Sequence, residues 1–208
     1  MTQARSISTL LIDFQSTLSG ENVPVSSILE AFHERGFGIL LLVFALPMAM
    51  PLPVPPGINI MLGSPLLILS AQQMVGRRDV WLPQSWQRKS FTTKTVTGFL
   101  NGMIPFLQKM EVLTKPRYVA LTGHRAQMII GALGLIMALT ACIPLPLTNT
   151  VPSFGIALMA LGVLMRDGVA VAIGAFIGTT WVTMLTIAVM LFGTQGIDLM
   201  KEAIKSWI

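Results

Sequence analysis

The sequence predicts an all-α integral membrane protein organised around two internally repeated, proline-broken helical hairpins. Three observations lead there. Of 208 residues, 53% are hydrophobic and only 11% charged, and the mean hydropathy is +0.72; a soluble domain carries about a quarter charged residues. Residues 36–76 and 126–165 contain no charge, and each stretch is interrupted by the same tripeptide, Pro51-Leu52-Pro53 and Pro144-Leu145-Pro146. Both run to about 40 residues, where ~20 helical residues already cross a bilayer core of ~30 Å. A third uncharged stretch, residues 168–197, contains at 169–192 the clearest single transmembrane helix of the chain.

The chain reads as one membrane domain, residues 1–208. Residues 1–35 form two amphipathic helices. Ile7, Leu10, Leu11, Phe14 and Leu18 line one side of the first, and Gly20 ends it. The second begins at a capping box, Ser27 to Glu30. The N-terminus has no continuous apolar core of the signal-peptide kind, so the internal helices are expected to direct insertion.

Residues 36–79 are the first broken hairpin, with its break at 51–59. Its arms rise only ~21–24 Å, which favours a re-entrant hairpin returning to its own side; two short spanning helices are the alternative. Residues 80–125 form a basic interfacial linker. Trp81, Pro83 and Trp86 beside Arg88 and Lys89 mark the headgroup region, and an amphipathic helix kinked at Pro105 lies over 95–113. Residues 126–167 are the second hairpin, broken between Pro144 and Ser153. Residues 168–193 are the transmembrane helix, whose Gly174 and Gly178 make a flat packing stripe. An interfacial tail, 194–208, closes the chain.

Charge orients it. Residues 77–125 hold nine Lys or Arg against Asp79 and Glu111, so the linker is predicted cytoplasmic by the positive-inside rule. No aromatic platform accompanies these charges, which excludes nucleic acid as a partner. Cys142 stands alone within an apolar run, so no intrachain disulfide forms.

The hairpins align as an internal repeat, direct or inverted. Superposing the Pro-Leu-Pro breaks matches Ala45-Leu46 with Ala138-Leu139, and a short gap then matches Arg78-Asp79 with Arg166-Asp167. Each unit is also preceded by a His and an Arg, His33 and Arg35, then His124 and Arg125. Duplicated units with interrupted helices are a transporter layout, with the site at the repeat interface.

The break residues Pro51, Pro53, Pro55, Pro56, Gly57, Pro144, Pro146 and Pro152 therefore flag a shared cavity, or simply end helices for packing. Asn59 and Asn149 either cap the second arms or contact a ligand. Arg78-Asp79 and Arg166-Asp167 have two readings. Arginine suits a helix C-terminus, and Asp caps the next segment. Alternatively the arginines, with Arg77 doubling the first, read phosphate or pyrophosphate on a lipid headgroup.

GFG followed by LP-x₃-PLP-x₂-PG, then LGSPLL, GRR and WLP, resembles the first half of the ExoD family of exopolysaccharide-synthesis membrane proteins. LTG-x-R, PLP-x₂-N-x₂-P and RDG continue the match in the second half. The resemblance implies a bacterial inner-membrane protein associated with exopolysaccharide production. It carries no catalytic residue or cofactor to transfer.

Three functions compete. The first is a small transporter or lipid-handling protein with its site between the hairpins. The second is a non-catalytic scaffold or regulator of polysaccharide machinery, and the third an integral-membrane enzyme. No catalytic set, metal-ligand motif or phosphate loop is present in the sequence, so no enzyme, cofactor or metal is expected. Membrane lipids are the expected partners, with polysaccharide synthesis or export proteins beside them. A homodimer, formed through the glycine stripe or the hairpins, is expected to complete a path too small for one chain.

Overall fold

The computed structural model describes residues 6–32, 35–50, 58–82, 84–142 and 149–193. The seven break residues at 51–57 and 144–146, together with His33, Pro83 and the 194–208 tail, lie outside the described residues. What is described is overwhelmingly helical. In chain order the elements are α1 (Ile7–Thr17), β1 (Asn22–Pro24), α2 (Val25–Phe32), α3 (Gly36–Ala49), α4 (Ile58–Met74), α5 (Gln84–Gln87), β2 (Ser90–Thr92), α6 (Thr93–Leu113), a 3₁₀ turn (Val119–Thr122), α7 (His124–Ala141), α8 (Thr150–Met165) and α9 (Gly168–Phe192).

The uncharged stretches become α3–α4 and α7–α8, the two helices of each pair in contact. Each first arm also packs against the second arm of the other pair, α3 on α8 and α4 on α7. Two glycines permit this. A Cβ on Gly38 would lie 2.7 Å from Leu164 Cγ, and one on Gly131 would lie 2.3 Å from the Met74 backbone nitrogen. These glycines coincide when the two Pro-Leu-Pro tripeptides are superposed, so the closest approaches fall at matching places. The buried core runs through Leu42, Met48, Leu66, Met137, Ile156 and Met159, one apolar cluster shared by both pairs.

α7 and α9 are long and apolar enough to cross a membrane. The outer faces carry large exposed apolar side chains, among them Met61 at 75%, Phe176 at 71% and Met190 at 80%. A belt of that kind suits hydrocarbon better than water. α9 lies on α8 through backbone contact. A Cβ on Gly155 would meet Gly174 O at 2.9 Å, and one on Gly174 would meet Gly155 O at 2.8 Å. The glycine stripe is therefore consumed inside the chain and does not offer itself to a second copy.

The linker folds back on the N-terminus. α6 runs continuously through Pro105 and buries Val96, Leu100, Met103, Ile104 and Leu107, with α1 against it. β1 and β2 pair antiparallel, a short ladder that helical periodicity did not announce. This ladder also displaces the expected capping box. It holds the chain extended through Pro24, and the Val25 N–H donates to Lys89 O (2.9 Å), so α2 starts two residues before Ser27. Ser27 sits inside the helix.

The second break is shorter than the sequence suggested. α8 starts at Thr150, with Pro152 and Ser153 already helical and buried. Proline is tolerated there because first-turn N–H groups have no intrahelical partner. Pro152 therefore belongs to the helix and not to the break.

Candidate functional site

Four segments converge where the hairpins open. Arg35 directly precedes α3, Arg78 follows α4, His124 begins α7, and Arg166 ends α8. All four line one cavity of about 390 Å³, together with Thr122 and Gln127 from the linker side of α7. Among the described residues its lining contains three guanidiniums, one imidazole and no carboxylate. Both helix pairs thus start and finish at this cavity.

Arg166 is held by an unusual backbone. It takes the left-handed conformation, φ 54° and ψ 32°, at the α8 C-terminus. The Asp167 N–H donates back to Gly162 O (2.8 Å) and the Arg166 N–H to Val163 O (3.3 Å), the wrap of a Schellman-type ending. Glycine normally fills that position, since a side chain there costs ~1–3 kcal/mol. Asp167 then caps α9, its Oδ1 accepting from Val169 N (3.0 Å) and Ala170 N (3.4 Å). Gly168 must be glycine, because a Cβ would lie 2.5 Å from Tyr118 O. The Arg-Asp-Gly sequence thus ends one helix, starts the next and places a guanidinium at the cavity.

Like charge accumulates here. Burial first, then the neighbouring Arg166 charge, push Arg35 below the usual guanidinium value, and Glu111 partly offsets them. Glu111 borders an adjoining cavity of about 290 Å³ that Arg35 and Arg166 also touch. Its oxygens are committed to the α1 N-terminus, accepting from Ser8 N (2.9 Å), Ser8 Oγ (2.6 Å) and Ser6 Oγ. Burial pushes the Glu111 carboxyl up, but the hydrogen bonds from Ser6, Ser8 and the Ile7 backbone outweigh it and leave it below the usual carboxylate range.

The residues singled out from sequence separate into three groups. Arg78 and Arg166 meet at the cavity. Arg77 is absent from that lining and lies over the Trp81 ring, 5.8 Å from its centroid. Asp79 is exposed and borders a different cavity beside Glu30 and Gly36, because the chain after it enters the linker and leaves it no helix to cap.

Asn59 and Asn149 sit at the opposite end of the hairpins, where neither caps a helix. They are buried and bond to each other, Asn149 Nδ2 donating to Asn59 Oδ1 at 3.0 Å. Asn59 is already inside α4, and the Asn149 side chain makes no capping bond, its amide being spent on this link between the hairpins.

Sequence reasoning passed over Arg35 and His124 as site residues, although a matched His and Arg before each hairpin was the signal. It also passed over Ser70 and Gln73. They lie three apart on the buried face of α4, in an arm otherwise dominated by apolar residues.

The model of the family described as "Exopolysaccharide synthesis, ExoD" matches residues 7–187. An uncharacterized protein of Synechocystis sp. is 29% identical over 190 residues, covering 91% of this chain and 89% of its own length. Protein ExoD of Rhizobium meliloti is 27% identical over 176 residues, covering 83% of this chain and 72% of its own. No solved structure matches.

Proposed function

The chain belongs to the ExoD family, which is linked to exopolysaccharide synthesis, and from that premise we propose that it binds a phosphate-bearing, lipid-linked intermediate in the arginine-lined cavity. The observation that carries this reading is the meeting of Arg35, Arg78, Arg166 and His124 around one cavity whose described lining holds no carboxylate. A guanidinium offers a planar pair of donors that matches phosphate oxygens. Three of them across one space form an anion site.

In this proposal the protein is multi-pass and resides in a bacterial inner membrane. The hairpins dip into the bilayer from the cytoplasmic side, where the basic linker lies, and α9 crosses to the other side. Its role is to bind and hand on, without bond-making of its own, and a homodimer forms through a surface other than the glycine stripe. The exchange of partners between α3–α4 and α7–α8 supports their reading as duplicated units.

A scaffold role is the second reading. Arg88, Lys94, Lys109 and Lys115 are exposed along the linker and suit an acidic partner surface. Polysaccharide output measured beside protein level separates the two. Arg78→Ala with Arg166→Ala should abolish output at normal abundance if the cavity is the site. Retained output, with loss only on neutralising the linker lysines, supports the scaffold instead.

A further inference from the structure

Behind the arginine cavity lies a second, far smaller one. Gly38 and Val163 line both, so the small void neighbours the large one, between α3, α4, α7 and α8. Its volume is about 10 Å³, close to the space one water molecule or one hydroxyl group occupies. Two polar side chains line it, Ser70 at 0% and Gln73 at 3% exposure. Ser70 Oγ and Gln73 Oε1 make no hydrogen bond among the described residues.

Two orphaned polar atoms beside one void define the chemistry of a partner. A buried hydroxyl can donate as well as accept, whereas an amide oxygen only accepts. The group that satisfies both must therefore donate to Gln73 and either accept from or donate to Ser70, which one hydroxyl can do. Leaving such atoms unsatisfied in an apolar helix interface is costly, and apolar side chains of similar size would remove the cost. The place of Ser70 and Gln73, beside the cationic cavity, ties them to whatever occupies it.

We infer that the cavity selects a phosphate ester of a polyhydroxylated sugar, with the phosphate on the arginines and one sugar hydroxyl entering the Ser70–Gln73 void. This rests on the reading of the arginine cavity as a phosphate site and adds the identity of the group attached to the phosphate. A resident water satisfies the same two atoms, and the experiment separates the two sources.

The full chain, purified in a maltoside micelle without phosphate, is titrated with a hexose 1-phosphate and with methyl phosphate, which lacks the hydroxyls. The hexose ester is expected to bind roughly tenfold more tightly, the worth of a pair of well-placed hydrogen bonds. Gln73→Leu and Ser70→Ala should each shrink that ratio towards one, with a melting temperature at or above the parent's, because an orphaned polar atom has gone. Gln73→Asn, which keeps the amide on a shorter arm, guards against a packing artefact and should also shrink the ratio. Equal binding of both esters by the parent chain overturns the inference, leaving the arginine site intact and water as occupant of the void. A ratio indifferent to Gln73 and Ser70 overturns it as well. Failure of both esters to bind overturns the arginine reading itself, and this inference with it.

Discussion

The two ends of the hairpin pair treat polar side chains in opposite ways. At the break end, Asn59 and Asn149 are buried and satisfy one another at 3.0 Å. At the open end, Arg35, Arg78 and Arg166 share a cavity with no carboxylate in its described lining. Both ends are built by residues from the two helix pairs, so the difference is not one of architecture. An amide pair whose members bond to each other links the hairpins at little cost, since each replaces the water the other lost. Clustered guanidiniums repel, and Glu111, whose oxygens accept from Ser6 and Ser8, offsets the Arg35 charge only in part. The amide pair at the break end serves the fold, and under the proposed function the open end serves a ligand.

The sharpest break of that comparison removes the charges. Arg78→Ala with Arg166→Ala should lower affinity for a phosphate ester ~100-fold or more, since each charge-assisted bond is worth ~1.5–3 kcal/mol. Thermal stability should hold or rise, because repulsion has been relieved. A titration beside a melting curve reads both.

The break end should behave in reverse. Asn149→Leu strands the Asn59 amide and should destabilise the fold by about 1–3 kcal/mol with phosphate binding retained. Adding Asn59→Leu should recover part of that loss, and a double-mutant cycle of unfolding free energies measures the coupling.

Arg166 lets both effects be seen in one residue. Arg166→Gly relaxes the left-handed backbone and should stabilise by ~1 kcal/mol while weakening phosphate binding. If instead the variant loses stability, the guanidinium serves the fold and the contrast between the two ends fails.

The smallest effect concerns α1. The Glu111 carboxyl lies below its ordinary value in the folded state, so its contribution to docking α1 is complete above the unfolded carboxyl value near pH ~4.3 and lost as pH falls through the folded one. Amide exchange of Ile7–Leu11, corrected for intrinsic rates, should accelerate across that acidic window, and Glu111→Gln should flatten the response.

Much of this fold could be read in the chain. Absence of charge marked α3, α4, α7, α8 and α9, and the Arg-Asp-Gly exit was recognisable as a helix ending followed by a cap. Half-periodic polarity disclosed α1 and α6. What escaped depended on distance in sequence. The Val25–Lys89 bond that starts α2 early joins residues that local rules never compare, and so does the Asn59–Asn149 pair, each of whose members looks locally like a cap. Arg35 and His124 each belonged to the His and Arg that precede a hairpin in the sequence. Only the packing of α3 on α8 and α4 on α7 shows that matched ends share one space. Arg77 was indistinguishable from Arg78 in sequence; one residue of rotation sends it to the Trp81 ring.

That last pair supplies the most direct test of the central claim. Native mass spectrometry of the full chain, released from a phosphate-free maltoside micelle in the presence of methyl phosphate, counts bound phosphate groups per chain. A single bound phosphate is predicted, retained in Arg77→Ala and lost in Arg78→Ala with Arg166→Ala. Persistence of the adduct in the double variant, or its equal loss in Arg77→Ala, would contradict the assignment of the open end to a ligand.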